Sequence, residues 1–396
     1  MKMRKTMWAA LPLSLAAIGA HAQSSVTLYG IVDTGIEYLN NSKGHSFVGM
    51  NEGIWGGERF GFKGREDLGG GTAAIFQLEN GFNVDNGAMQ KAGVMFNRAS
   101  WIGLTNDRYG TLTAGRQYTP YYNLLAPWSP TNWLTGALGA HPGDVDNLDT
   151  DYRVSSSVSY RSPTYRGFTF GALYAFGGQP GSLSLGQSWS VAANYRMGAG
   201  GIGVGFERFN NATPGGGAWS ANSTAYSGTG EQGNSGITAG YQTAAAQNRF
   251  AVTGGWQFSS QFDVSASYSN VQYIAGPNSL FQSTAVFNTA GLVLHYHPAP
   301  VWDLAAGYAY TRGTRANGIT SPASYNQINL TQLYTLSKRT RLYALEVFQR
   351  ANGQTLVVNS AGTAVSVGGA VANIGEANPS SNRNQIALTL GINHVF

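Results

Sequence analysis

The sequence predicts an all-β protein: a transmembrane antiparallel β-barrel of about sixteen strands, with short turns at one end and long loops at the other. Three observations predict it. Charged residues make up only 11% of the chain, against 54 glycines and 12% aromatics, whereas soluble domains are about one quarter charged. After residue 22 no apolar stretch reaches the ~18 residues that a transmembrane helix needs. Instead, period-two alternation recurs in segments of about ten residues, divided by turn residues.

The N-terminus reads separately. Lys2, Arg4 and Lys5 precede an apolar stretch from Met7 to Ile18 and the small-residue pattern Ala20-His21-Ala22. That order is a secretory signal peptide. Residues 1–22 are therefore assigned to it, and residues 23–396, from Gln23, to the barrel. The chain has no cysteine, which removes disulfides, zinc–thiolate sites and thiol nucleophiles and suits an oxidising periplasm. The formal charge is +5, three of it in the N-terminal basic region, leaving about +2 for the rest. With no basic run, nucleic acid is not an expected partner.

The strands follow in order. Over 54–66, Arg59, Lys63 and Arg65 oppose Phe60 and Phe62. Over 153–162, Arg153, Ser155, Ser157, Ser159 and Arg161 share one face, with Val154, Val158 and Tyr160 on the other. Over 187–197, Trp189, Val191, Ala193 and Tyr195 oppose Ser190, Asn194 and Arg196. Segments 167–176, 248–258, 262–274 and 301–312 repeat the pattern. Alternate side chains of a strand point to opposite faces, so one face suits lipid and the other water. Long connections are expected near 40–53, 84–93, 119–152, 177–186, 211–247, 275–285, 313–325 and 351–383, with seven short turns between them. Aromatics cluster at strand ends, as interfacial belts require.

The last segment closes the barrel. Ile386, Leu388, Leu390, Ile392, His394 and Phe396 alternate with Ala387, Thr389, Gly391 and Asn393, and the chain stops on the aromatic. This looks like the terminal recognition signal of outer-membrane barrels, which makes Leu390, Ile392, His394 and Phe396 candidates for engaging the barrel-assembly machinery.

Four segments carry a family pattern: Ser25–Asp33, Arg59–Gly71, Tyr109–Tyr118 and Gly391–Phe396. They resemble general outer-membrane porins of the β-proteobacterial type. The resemblance implies a homotrimer of sixteen-stranded barrels among outer-membrane lipid and lipopolysaccharide. It also implies a third long loop folded into the lumen, which here is 119–152. An arginine ladder facing an acidic loop carries over onto Arg59, Arg98 and Arg153, opposite Asp144, Asp146, Asp149 and Asp151. Arg116 divides between a pore role and a structural anchor, because its face also holds Leu112 and Ala114. The implied function is a passive channel for small hydrophilic solutes and ions; weak anion selectivity is expected because the arginines sit on rigid strands while the aspartates ride on a loop.

Other chemistry is weaker. The spacing of the 144–151 acids departs from a calcium loop, and no Glu closes it. His295 and His297, beside the turn at Pro298, are read as a solvated turn in preference to a metal pair. No cofactor or resident metal is expected. Tyr118, Tyr121 and Tyr122 near Arg116 are the start of a binding track if the channel is solute-specific. A barrel lipase with an exterior Ser, His and Asn is the remote rival.

Overall fold

A computed structural model describes residues 25–129, 136–149, 152–225, 235–375 and 377–396. The assigned signal peptide and Asp151 lie outside the described residues. The first strands are β1 (Ser25–Ser42), β2 (His45–Glu52), β3 (Arg59–Gly69), β4 (Thr72–Asn80), β5 (Ala99–Asn106) and β6 (Gly110–Tyr118). The third loop follows, with one short helix, α1 (Pro120–Leu125). Then come β7 (Arg153–Arg161), β8 (Phe168–Ala175), β9 (Ser188–Met197), β10 (Gly200–Asn210) and β11 (Ala246–Gln257). The wall continues through β12 (Phe262–Ile274), β13 (Ala285–Ala299), β14 (Trp302–Gly313), β15 (Ser324–Thr335) and β16 (Thr340–Asn352). A loop hairpin, β17 (Gln354–Val358) and β18 (Val365–Gly369), precedes the closing strand β19 (Asn384–Val395).

The wall is antiparallel and closed, because β19 pairs with β16 on one side and with β1 on the other, from Ile31↔Val395 to Leu39↔Ala387. β2 lies against residues 34–42 of β1 and β3 against residues 25–31, so together they form one wall strand and the barrel has sixteen. Closure leaves no edge, which hydrocarbon would penalise by several kcal/mol per unpaired group. No helix among the described residues is long and apolar enough to cross a membrane; the crossings are strands.

Two predicted spans are corrected near the start. The long loop expected at 40–53 is a tight turn at Lys43-Gly44, after which β2 continues the wall. The strand expected over 54–66 begins at Arg59, and residues 53–58 form a detour between β2 and β3. Asp33 holds that detour by accepting from the Trp55 N–H at 3.4 Å and the Gly56 N–H at 3.2 Å. Tyr343 and Asn393 donate to the same carboxylate. A third correction concerns Val154, which points inward and packs with Tyr152, Leu173 and Phe209. The cause is a bulge: Ser156 has φ +55° and the β6–β7 register slips by one residue. A bulge inserts one residue and reverses the alternation on either side of it.

Elsewhere the alternation holds. The outward face is apolar, with Leu390 at 68%, Val26 at 66% and Ile102 at 64% exposure. The packed interior is formed by loops that enter the barrel. Val145 joins Ile237, Tyr241 and Phe287 in one cluster, and Leu138 joins Ile54, Leu333 and Ile374 in another.

Candidate pore constriction

The third loop crosses the lumen because a smooth strip of wall admits it. Thr119 caps α1, with its hydroxyl accepting from the Tyr122 N–H, and Pro120 occupies the first turn where no donor is needed. The helix then lies on β8 to β11. At Gly203 an added Cβ would stand 3.0 Å from the Leu124 carbonyl, and at Gly205 3.0 Å from the Leu125 side chain. Asn194 donates to the Leu124 carbonyl and Thr253 to the Leu125 carbonyl, so the helix end is satisfied by the wall.

Further along, the loop is fastened by charge. Asp146 accepts from Ser269 of β12 at 2.5 Å and bonds His141 Nδ1 at 2.7 Å. His141 Nε2 lies 3.2 Å from Ser267 Oγ. Burial alone would raise the Asp146 carboxyl. Attraction to His141, together with hydrogen bonds from His141, Ser269 and the Leu148 N–H, outweighs that and holds it below the usual carboxylate range. Tyr121 donates to the Asp146 carbonyl, Arg249 to the Val145 carbonyl, and Asn147 and Thr119 to Glu207. Ser267, His141 and Asp146 are connected in the order of a hydrolytic triad. They are 8%, 2% and 0% exposed, on the inside of the barrel and under the loop, where the arrangement acts as a latch.

Three of the four predicted arginines come together. Arg98 Nε donates to Glu79 at 2.9 Å, and Arg59 stands 4.0 Å from the same oxygen. Arg153 lies over the Tyr118 ring at 4.4 Å and donates to its hydroxyl, which Arg98 also reaches at 3.4 Å. Arg59 is braced by the Gly57 carbonyl of the detour. The Arg59 side chain keeps 21% exposure, against 6% for Arg98. The carboxylate that meets Arg59 and Arg98 is Glu79, absent from the sequence-based set. Its signal was present: Glu79 shares a face of β4 with Gln77 and sits opposite Gly61, whose missing side chain leaves room for Tyr29, a donor to Glu79.

The remaining predicted residues are placed differently. Arg116 donates to the Asn97 carbonyl, the Arg153 carbonyl and Ser155 Oγ. In register it opposes Ser100, while its neighbour Gln117 bonds Ser157 on the other face. Of its two predicted roles, this geometry is that of the anchor. Asp144 and Asp146 are buried, and Asp144 accepts from the Asp149 N–H within the loop. At the closing strand, the Phe396 N–H and carbonyl both bond Gly30, the Phe396 ring lies over Gly30, and His394 bonds Thr340. Leu390, Ile392 and Phe396 are exposed on the outer surface, as the alternation predicts.

A closed sixteen-stranded barrel narrowed by an inward loop and a cluster of arginines is the architecture of a general porin. The sequence profile of the Gram-negative porin family matches residues 8–355, and the chain belongs to that family. It is 39% identical over 191 residues to an outer membrane porin protein of Bordetella pertussis, covering 44% of this chain and 48% of that one. It is 36% identical over 180 residues to outer membrane porin protein 32 of Delftia acidovorans, covering 42% of this chain and 48% of that one. The chain thus spans about half the length of the curated relatives it matches. Among solved structures, an anion-selective porin from Comamonas acidovorans superimposes with a TM-score of 0.69, covering 94% of this chain and all of that one at 23% identity. The shared fold extends across the whole barrel, beyond the aligned sequence.

Proposed function

We propose that this chain forms a passive, water-filled channel in the outer membrane for small hydrophilic solutes and ions, with a weak preference for anions. One observation carries the reading: Arg59 and Arg98 meet Glu79, and Arg153 lies over Tyr118, whose hydroxyl Arg98 also reaches, beside the loop that crosses the lumen. Cations fixed near a low-dielectric wall act more strongly than in bulk water and bias which ions pass. The Comamonas acidovorans porin that shares the fold is described as anion-selective, which agrees. Tyr118 and Tyr122, with ring centroids 5.1 Å apart beside Arg153, favour a solute-specific track as the second reading.

We further read the channel as a homotrimer. The exposed stripe of Val26, Leu28 and Ile36 on β1 suits a neighbouring subunit, with lipid and lipopolysaccharide around the rest. Residues 1–22 serve as the export signal, and the Phe396 end as the mark for the assembly machinery. The buried latch argues for a channel and against a barrel lipase. Labelling of Ser267 by a serine-directed phosphonate would reverse that view.

The test is the reversal potential of the purified protein in planar bilayers across a salt gradient. Stepwise conductance with an anion-directed potential is expected. No conductance would end the channel reading, and a cation-directed potential would end the anion preference.

A further inference from the structure

A second group of titratable side chains lies on the lumen wall away from the arginines. Asp263 is near the start of β12, His295 and His297 near the end of β13, and Asp303 near the start of β14, all beside the short turns. Alternation fixes their direction. Asp263 shares its face with Ser267 and Ser269, which touch the third loop, and His295 is its register partner. Asp303 shares its face with the buried Ala305 and Ala309. Tyr296 and Trp302, which separate these positions along the chain, are 45% and 41% exposed on the outer surface. The four side chains therefore converge inside the barrel at its short-turn mouth.

Their spacing is that of ligands. His295 Nδ1 lies 2.9 Å from Asp263 Oδ1, and His297 Nε2 lies 3.6 Å from Asp263 Oδ2. One donor atom from each of Asp263, His295 and His297 falls within 4.8 Å of the others. Donors around a tetrahedral zinc with bonds of about 2.0–2.1 Å stand roughly 3.3 Å apart, so small side-chain rotations suffice. Asp303 adds an independent feature. It bonds His297 Nδ1, which turns Nε2 towards Asp263. A carboxylate on the far nitrogen is the usual device for orienting a metal-bound imidazole.

We propose that Asp263, His295 and His297 bind a divalent transition metal of the zinc class, with Asp303 positioning His297 and water in the open fourth place. Two imidazoles with one carboxylate suit zinc over the all-oxygen shells of calcium or magnesium. A bound dication would offset the charge of Asp263 and Asp303 at the mouth. It would thereby add to the positive field that the arginines create further up the pore.

The experiment is calorimetric titration of zinc chloride into the chelator-washed, detergent-extracted barrel, with calcium chloride in parallel. Saturable binding of one zinc per chain, without calcium binding, is expected. His297→Asn removes a partly exposed ligand and should weaken zinc at least about tenfold, and Asp303→Asn should weaken it about tenfold with stoichiometry kept. Substitution with cobalt should give the visible absorption bands of a four-coordinate N/O site. In bilayers, zinc on the short-turn side should shift the reversal potential further towards anions in the wild type and not in His297→Asn. Both variants are first checked for wild-type single-channel conductance, so that a folding defect is not read as lost binding. Absence of saturable zinc binding, equal affinity in His297→Asn, or preference for calcium would each overturn the proposal.

Discussion

The arginine cluster and the acidic stretch of the third loop look like complementary halves of one field in the sequence, yet their surroundings treat them in opposite ways. Asp146 has its own partners: His141 at 2.7 Å, Ser269 at 2.5 Å, and a site with no exposure. Its charge is used to fasten the loop to β12. Arg59 and Arg98 meet Glu79 while Arg153 lies over the Tyr118 ring, so three guanidinium groups stand together at the pore wall. A residue count would let the aspartates cancel the arginines. A carboxylate buried against its own hydrogen-bond donors is turned away from the path of a passing ion.

Five measurements sharpen or break this comparison, and the largest effects are expected at the latch. Asp146→Ala leaves His141 and Ser269 buried without their acceptor, and breaking a buried pair costs about 3–5 kcal/mol. The third loop should loosen, giving noisy single-channel currents and a lower unfolding temperature in detergent. Quiet, wild-type currents would show that the apolar contacts of α1 hold the loop unaided. The pH dependence has a definite sign. Because the folded carboxyl of Asp146 sits below its ordinary value, its contribution is complete above about pH 3.9 and is lost only as pH falls through the lower folded value. Current noise should therefore stay constant from about pH 5.5 to pH 4.5, and a rise within that window would contradict the assignment.

Next in size is the cluster itself. Arg59→Ser combined with Arg153→Ser should move the reversal potential towards cations while conductance persists. An unchanged potential would show that these two side chains do not govern selectivity. Glu79→Gln should act the other way and more weakly, strengthening the anion preference by removing a counter-charge of Arg59 and Arg98. A shift towards cations would mean that Glu79 chiefly positions Arg98 and that its loss lets the guanidinium turn aside. Smallest of all is Arg116→Ala. Its bonds run to main-chain carbonyls and Ser155, so thermal stability should fall by about 1–3 kcal/mol while the reversal potential stays put. A selectivity change would return Arg116 to the pore.

Much of the wall was legible because period-two alternation is a direct consequence of strand geometry between lipid and water. Segments such as Phe262–Ile274 and Asn384–Val395 have the faces their sequences predict. The failures fall where local geometry departs from the simple strand. The Ser156 bulge turns Val154 inward, and nothing in the sequence around Ser155-Ser156-Ser157 announces a φ of +55°. The Lys43-Gly44 turn was hidden inside a polar stretch that reads as loop, because β2 owes its pairing to β1 rather than to its own pattern.

The amino-acid sequence by itself determined the barrel, its strand count and closure, and the start of a long loop after Tyr118. These follow from local periodicity, composition and turn chemistry, each confined to a few neighbouring residues. Only the tertiary structure decided which charges face which. Glu79 meets Arg59 and Arg98 across strand pairings, and Asp146 meets Ser269 over 123 positions of chain. Such contacts depend on register, on the room left by Gly61, Gly203 and Gly205, and on burial. Electrostatic effect scales with distance and local dielectric, and a linear sequence specifies neither until the barrel closes.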